Sequence, residues 1–327
     1  MKSPITIPRI AVVIPCYNEA LAIGQVLEEF KVALPEASLH VFDNNSTDRT
    51  AQVALTHGAT VTHVQLRGKG NVVRRMFADV EADIYIMVDG DATYDITSVR
   101  EHIELLLRNR FDMIVGCRQD DGDNPETYRP GHRWGNRLLT NSVGLIFGGQ
   151  FTDMLSGYRI FSRRYVKSFP AAAQGFETET ELTVHALELR MAYAEVNTLY
   201  RSRPEGSLSK LSTFRDGWRI LRTILNLFVS ERPLAFFSIL AGLLAGTAIG
   251  ISIPLALTYL DTGLVPRFPT AILATGMMLS AALALMSGVI LHTVTMGRRE
   301  NKQLAYLSIP ALGTQRQLTC DQVKNQA

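Results

Sequence analysis

The chain has 327 residues, a mean hydropathy of +0.08 and a formal net charge of +2, with 33 Lys and Arg against 31 Asp and Glu. So small a basic excess excludes a protein that tracks the phosphates of a nucleic acid, which concentrates cationic residues. The length suits one α/β domain with an appendage, and three scattered cysteines, Cys16, Cys117 and Cys320, fit a reducing compartment rather than a disulfide framework or a zinc site.

Met1 to Arg9 carries no apolar core of the kind a signal peptide needs, which predicts that the N-terminal part stays in the cytoplasm. Ile10 to Ile14 reads as a strand ending in Pro15, and Ala20 to Leu34 as a helix with Leu21, Ile23, Val26, Leu27 and Phe30 at helical spacing. The alternation continues with a strand over Leu39 to Phe42 and a helix over Thr47 to Thr56 capped by Ser46. A strand over Thr60 to Val64 and a helix over Lys69 to Val80 follow. Ile84 to Val88 and Met113 to Val115 read as two further buried strands. Such alternation predicts a doubly wound sheet with ligands at the carboxyl ends of its strands, where Asn18, Glu19, Asp43, Asn44, Asp89 and Asp91 fall.

Gln119 to Gly131, rich in Asp, Gly, Pro and Asn, reads as a loop over that crevice. Arg133 to Phe147 and Glu177 to Arg190 read as helices, the second with Glu179 as a candidate base and Glu177 and Glu181 as a solvated face. Phe214 to Val229 sets Trp218, Leu221, Leu225 and Phe228 against Arg215, Arg219 and Arg222, which suits a membrane surface as well as a core-packing helix. Leu234 to Leu260 and Pro269 to Met296 are nearly charge-free runs of about 27 residues, long enough to span a bilayer, with a kink expected at Pro254. Arg219, Arg222 and Arg232 precede them and Arg298, Arg299 and Lys302 follow, against Arg267 alone in the turn over Asp261 to Phe268. The charge bias predicts cytoplasmic termini. Gly242, Gly246 and Gly250 permit close helix packing and hence a homo-oligomer.

The chemistry concentrates at three strand ends. Asp89-Gly90-Asp91 follows Ile84 to Val88 and can hold a hard divalent cation, or simply turn the chain. Pro15-Cys16-Tyr17-Asn18-Glu19 and Asp43-Asn44-Asn45-Ser46-Thr47-Asp48 add a stacking face and acceptors for a nucleobase and ribose. Lys69, between Gly68 and Gly70, fits a diphosphate contact or a solvated turn residue.

These runs resemble the family 2 glycosyltransferases of GT-A fold, whose strand ends carry P-x-Y-N-E, D-D-G-S-x-D and D-x-D; Asn44-Asn45 departs from the family's Asp-Gly. The likeness extends through Leu211 and is nearest to the polyprenyl-phosphate glycosyltransferases, carried by Gly116-Cys117-Arg118, Arg133, Asp153 to Tyr158 and Arg203 to Leu211. It implies a GT-A, Rossmann-like domain over 1–211, to which the amphipathic, apolar and basic segments add a juxtamembrane helix over 212–233, two transmembrane helices over 234–297 and a cytoplasmic tail over 298–327.

The resemblance further implies Asp89, Asp91, Arg118 and Arg133 as catalytic residues, with Mg2+ or Mn2+ at Asp91 and Asp89. Pro15, Tyr17, Glu19, Asp43, Asn44, Lys69, Asp89 and Gly90 would bind a UDP- or GDP-sugar. Arg118, Arg133, Ser156, Arg203, Ser209 and Lys210 would bind the phosphate of a polyprenyl acceptor, and Asp153 would orient Arg133, touch the metal or cap a turn. The expected reaction is inverting transfer at the cytoplasmic face of the cell membrane. A transferase to a lipid or glycan hydroxyl, or a catalytically silent nucleotide-sugar binder, are the alternatives. A processive synthase would show Q-x-x-R-W, which His132-Arg133-Trp134 does not match.

Overall fold

The computed structural model describes residues 8–120, 140, 143–144, 146–149, 151–173, 175, 177–201 and 213–311. Arg133, Arg203, Ser209 and Lys210 lie outside these, as do most of the loop expected over 119–131 and much of the helix expected over 133–147. The chain divides into two compact units, one of Met1–Arg222 with Lys302–Ala327 and one of Thr223–Asn301.

The first unit opens with β1 (Ile10–Cys16), α1 (Ile23–Ala33), β2 (Ser38–Asp43), α2 (Thr50–Thr56), β3 (Thr60–His63), α3 (Lys69–Asp79) and β4 (Ile84–Met87). It continues through α4 (Val99–Asn109), β5 (Met113–Asp120), β6 (Arg159–Ser162), α5 (Arg163–Ser168), α6 (Thr178–Glu188) and β7 (Tyr193–Tyr200). The strands form one mixed sheet in the order β3-β2-β1-β4-β6-β5-β7, with β6 antiparallel to both neighbours. β1 reads as an unbroken apolar run because both sheet faces are covered. Val12 and Ile14 pack with Ile23, Leu27 and Phe30 of α1, while Ala11 and Val13 pack with Val73, Met76 and Phe77 of α3. The chain leaves β1 toward β2 on one side and returns through α3 to β4 on the other, which places a topological switch point between β1 and β4.

Four elements were not expected from the sequence: α4, β6, α5 and β7. β5 also runs on to Asp120, five residues beyond the expected end at Val115, because it pairs with β7 along its whole length, from Met113↔Tyr193 to Asp120↔Tyr200. The last turn of α9 (Phe268–Leu307) belongs to this unit. Lys302 Nζ lies 2.7 Å from Glu188 Oε2, and the Tyr306 hydroxyl donates to Asp112 Oδ2 at 2.8 Å with the Arg164 guanidinium 4.7 Å over its ring. Helix thus continues to Leu307 where the sequence predicted a tail from residue 298. Burial, with a smaller push from Lys302, lowers His185 to about 3, so its ring is neutral.

α7 (Thr213–Glu231) leaves Trp218, Leu221 and Leu225 exposed, as the expected apolar face requires. In the second unit α8 (Pro233–Thr262) and α9 are long and apolar enough to cross a membrane. Apart from Pro233 at the start of α8, their buried positions recur every seven residues, at Ala241 and Ala248 and at Ala274, Ala281, Gly288 and Thr295. A Cβ on Gly288 would lie 2.8 Å from the Phe237 Cβ, so the two helices approach through small residues. Nothing lies within 4 Å of a Cβ built on Gly242, Gly246 or Gly250, so that stripe takes no part in the contact. α8 continues through Pro254, whose carbonyl accepts from the Thr258 hydroxyl at 2.8 Å.

Candidate active site

The ends of β1 and β2 are tied into one structure. Asn18 adopts a left-handed φ of 54°, its N–H donates to Ser46 Oγ at 2.9 Å and its Oδ1 accepts from the Thr47 N–H at 2.7 Å. The Glu19 N–H donates to Thr50 Oγ1 at 2.8 Å and the Ala20 N–H to Asp48 Oδ2 at 3.1 Å. Ser46 therefore serves the neighbouring loop instead of capping a helix, and α2 begins at Thr50 rather than Thr47. Pro15 lies within β1, in register with Phe42, so it shapes the strand end. Tyr17 is 37% exposed beyond it, which leaves ring surface open, while Glu19 is buried.

Asp43 closes β2 and is 3% exposed. Its Oδ2 pairs with His63 Nδ1 at 3.1 Å, while Oδ1 is buried with no hydrogen-bond partner, an acceptor awaiting a donor. Asn44 has a different job from the expected donor contact. Its amide donates to the Val64 and Leu66 carbonyls at 3.0 and 2.7 Å and its Oδ1 accepts from the Gly68 N–H at 2.7 Å. Both donors and the carbonyl of the side chain thus hold the segment that leads into α3. An aspartate there would offer no donors, which explains the departure from Asp-Gly in physical terms.

α3 starts at Lys69, whose Nζ lies 2.5 Å from Asp89 Oδ1 and 2.6 Å from Glu179 Oε1. Burial acts to lower the ammonium's pKa, but the two carboxylates outweigh it and hold it above the ordinary lysine value. Burial raises the Glu179 carboxyl against the pull of Lys69, and its Oε2 has no hydrogen-bond partner. Glu177 and Glu181 are not the solvated face expected of them. Glu181 accepts from the Ala172 and Ala173 N–H groups at 2.9 and 2.8 Å, and Glu177 from the Gly175 N–H at 3.0 Å.

Asp91 is 4% exposed and its Oδ1 accepts from the Thr93 hydroxyl at 2.6 Å. Between the two aspartates Gly90 is dictated by packing, since a Cβ there would fall 2.6 Å from Cys16 Sγ. Gly157 is more constrained still. Its Cβ would lie 2.1 Å from Asp89 Oδ2, and its N–H donates to the Tyr94 hydroxyl at 2.8 Å. Gly157→Ala is accordingly expected to push the Asp89 carboxylate aside and lower kcat/KM by about 10- to 100-fold, the scale of a misplaced catalytic group. Initial rates beside a thermal unfolding curve check it.

At the end of β5, Arg118 Nε and Nη2 each donate to Asp153 at 2.7 Å, and the guanidinium carbon lies 5.7 Å from the Tyr200 ring centre. Asp153 thus orients Arg118. Ser156, expected to touch the acceptor phosphate, is instead wholly buried, donating to the Gly116 carbonyl at 2.5 Å and accepting from the Tyr158 N–H at 3.2 Å. Arg159, which no motif marks, is also wholly buried. It donates to the carbonyls of Met154, Ser156 and Glu179 and to Thr183 Oγ1, joining the 154–156 turn to the first turn of α6.

Among the described residues no group of three or more His, Cys, Asp or Glu is gathered to hold a metal ion. Magnesium-type ions bound with a nucleotide take one or two carboxylates from the protein and complete their shell with phosphate and water. The buried, acceptor-only Asp91 with Asp89 beside it fits that demand.

Residues 11–169 match the Glycosyl transferase family 2 model. Glycosyltransferase AglJ of Haloferax volcanii is 32% identical over 256 residues, 76% of this chain and 81% of the relative. The dolichyl-phosphate hexose transferase of the same organism is 26% identical over 227 residues, 69% of this chain and 97% of the relative. Among solved structures, glucosyl-3-phosphoglycerate synthase from Mycobacterium tuberculosis in complex with Mn2+, UDP-glucose and phosphoglyceric acid is similar in fold. The TM-score is 0.51 at 23% identity, over 67% of this chain and 79% of that one.

Proposed function

Since the chain belongs to glycosyl transferase family 2 and is a glycosyltransferase, we propose that it moves a sugar, with inversion, from a UDP- or GDP-sugar to a polyprenyl phosphate at the cytoplasmic face of the cell membrane. The product would be a lipid-linked sugar that a later glycosyl transfer consumes. The observation that carries this acceptor is Arg118, held by Asp153 at the same sheet edge as Asp89 and Asp91. A planar guanidinium with its orientation fixed suits an anionic phosphate far better than a neutral hydroxyl. The dolichyl-phosphate relative and the two apolar helices support the same reading, because such an acceptor lies at a bilayer surface.

A phosphate monoester is already anionic at neutral pH and attacks the anomeric carbon without a base. One phosphate oxygen forms the bond to that carbon as the bond to the donor diphosphate breaks, and the electron pair leaves with the nucleoside diphosphate. Glu179, which a hydroxyl acceptor would need as its base, has one oxygen committed to Lys69. Lys69 in turn acts through Asp89, keeping that carboxylate in place for the donor. Tyr17 offers its ring and Asp43 its unpartnered oxygen to the nucleoside. When bound at Asp91 and Asp89, Mg2+ or Mn2+ would supply positive charge to the departing diphosphate. Arg118, with Arg133, Arg203, Ser209 and Lys210 of the same motifs, would serve the acceptor phosphate and balance the repulsion between two anions.

The test is incubation of the protein in nanodiscs with radiolabelled UDP- and GDP-sugars and a polyprenyl phosphate, with and without chelator. A labelled lipid that mild acid releases is expected, and chelator is expected to suppress it. Label in an acid-stable lipid glycoside would overturn the phosphate acceptor, and indifference to chelator would overturn the metal role of Asp91.

A further inference from the structure

β5 and β7 run in parallel with Val115 opposite Glu195 and Arg118 opposite Thr198, so Glu195 sits three residues along the pair from the position of Arg118. Its carboxylate does not face water alone. Oε1 and Oε2 accept from the Thr152 N–H at 2.8 and 3.1 Å, Oε2 from the Thr152 hydroxyl at 2.9 Å, and Oε1 from the Asp153 N–H at 3.3 Å. Thr152 Oγ1 also meets Cys117 Sγ, the neighbour of Arg118, at 3.1 Å. One carboxylate thereby fixes two successive amides, and the second of those residues supplies both oxygens that grip Arg118. Tyr200, on the same strand as Glu195, places its ring against the guanidinium.

We infer that Glu195 is a positioning residue for transfer, setting the plane of the Arg118 fork for an anionic phosphate acceptor through Thr152 and Asp153. The inference rests on Arg118 being the contact for the acceptor phosphate, as proposed above. Arginine has several rotatable bonds, and a fork already held in its bound orientation loses less freedom when the phosphate arrives. Loss of the Glu195 acceptors lets the 152–153 turn relax, and the Asp153 carboxylate swings with it. The consequence is expected on the acceptor side, because the bonds of Glu195 run to Thr152 and Asp153, and Asp153 grips Arg118 through both its oxygens.

The experiment uses the full chain in detergent with farnesyl phosphate as the acceptor, and compares Glu195→Gln with wild type. Gln keeps the size and one acceptor but loses the charge and the second acceptor. The expected result is a rise of about tenfold in KM for farnesyl phosphate, with donor KM and kcat within about twofold and an unchanged melting temperature. Glu195→Asp, which keeps both oxygens, is expected to recover most of the loss. In an Arg118→Lys background, Glu195→Gln is expected to add nothing, since its effect passes through Arg118. An equal further rise in that background, an equal rise in donor KM, or a lowered melting temperature with acceptor KM unchanged would each overturn the inference. If wild type transfers sugar to neither farnesyl phosphate nor a longer polyprenyl phosphate, the acceptor reading itself fails. If it does transfer and Glu195→Gln behaves as wild type, only the positioning role fails.

Discussion

Asp91→Asn is expected to lower kcat by about a thousandfold or more, the range for removing a group that stabilises developing charge. The melting temperature should stay near that of wild type. Asp91 is buried, and its Oδ1 accepts from the Thr93 hydroxyl and N–H. Asparagine keeps the volume and that carbonyl acceptor, so the turn after β4 survives. What it removes is the negative charge on which a divalent cation depends. Two measurements separate this from a folding defect: kcat with saturating substrates, and the affinity for nucleoside diphosphate with and without Mn2+. The variant is expected to bind the nucleotide equally well in both conditions, whereas wild type binds it more tightly with the ion. A variant that keeps the metal-dependent gain in affinity would remove Asp91 from the metal site. Asp89→Asn makes a useful contrast. Asp89 is the ion-pair partner of Lys69, so its loss also leaves Lys69 and Glu179 to rearrange.

The strand-end runs proposed for the donor were legible in the sequence because each is contiguous. Pro15 to Glu19, Asp43 to Asp48 and Asp89 to Asp91 each follow an apolar strand directly, so a strand assignment places them at the sheet edge without further knowledge. The roles within those runs were less legible. Asn44 and Ser46 have the chemistry of ligand contacts, but they spend it on backbone groups about 20 to 30 residues away, which only the folded chain brings near. Lys69 and Glu179 are 110 positions apart, so the sequence, which singles out Glu179 as a candidate base, gives no sign that it pairs with Lys69. β6 escaped notice because Arg159-Ile160-Phe161-Ser162 is only four residues long and opens with a charged residue that the sheet buries whole. Ser156 misled in the opposite direction. It occupies a motif position, yet its hydroxyl closes the turn that lets Gly157 pack on Asp89.

Lys69→Met carries the second large effect, on stability as well as rate. Lys69 is the shared partner of Asp89 and Glu179, and Glu179 is buried to 5% side-chain exposure. Removing one member of a buried ion pair costs about 3–5 kcal/mol, because the remaining charge stays out of water without a partner. The pH dependence follows from the direction of the Glu179 shift. Burial already raises its carboxyl above the ordinary value, and in the variant the opposing pull of Lys69 is gone, so the shift grows. A carboxyl with a raised folded pKa binds more protons in the folded than in the unfolded state. Stability therefore falls as pH rises from the ordinary carboxylate range through the folded pKa. The melting-temperature gap between wild type and Lys69→Met is expected to be widest near pH 8 and to narrow toward pH 5, as Glu179 takes up a proton. Adding Glu179→Gln to Lys69→Met is expected to flatten that dependence and restore much of the stability without restoring transfer, because Asp89 still lacks the ammonium that holds it. A gap that stays constant with pH, or one that Glu179→Gln leaves untouched, would mean that Lys69 does not neutralise a buried carboxylate. Asp89 would then owe its placement to the close approach of Gly157 alone.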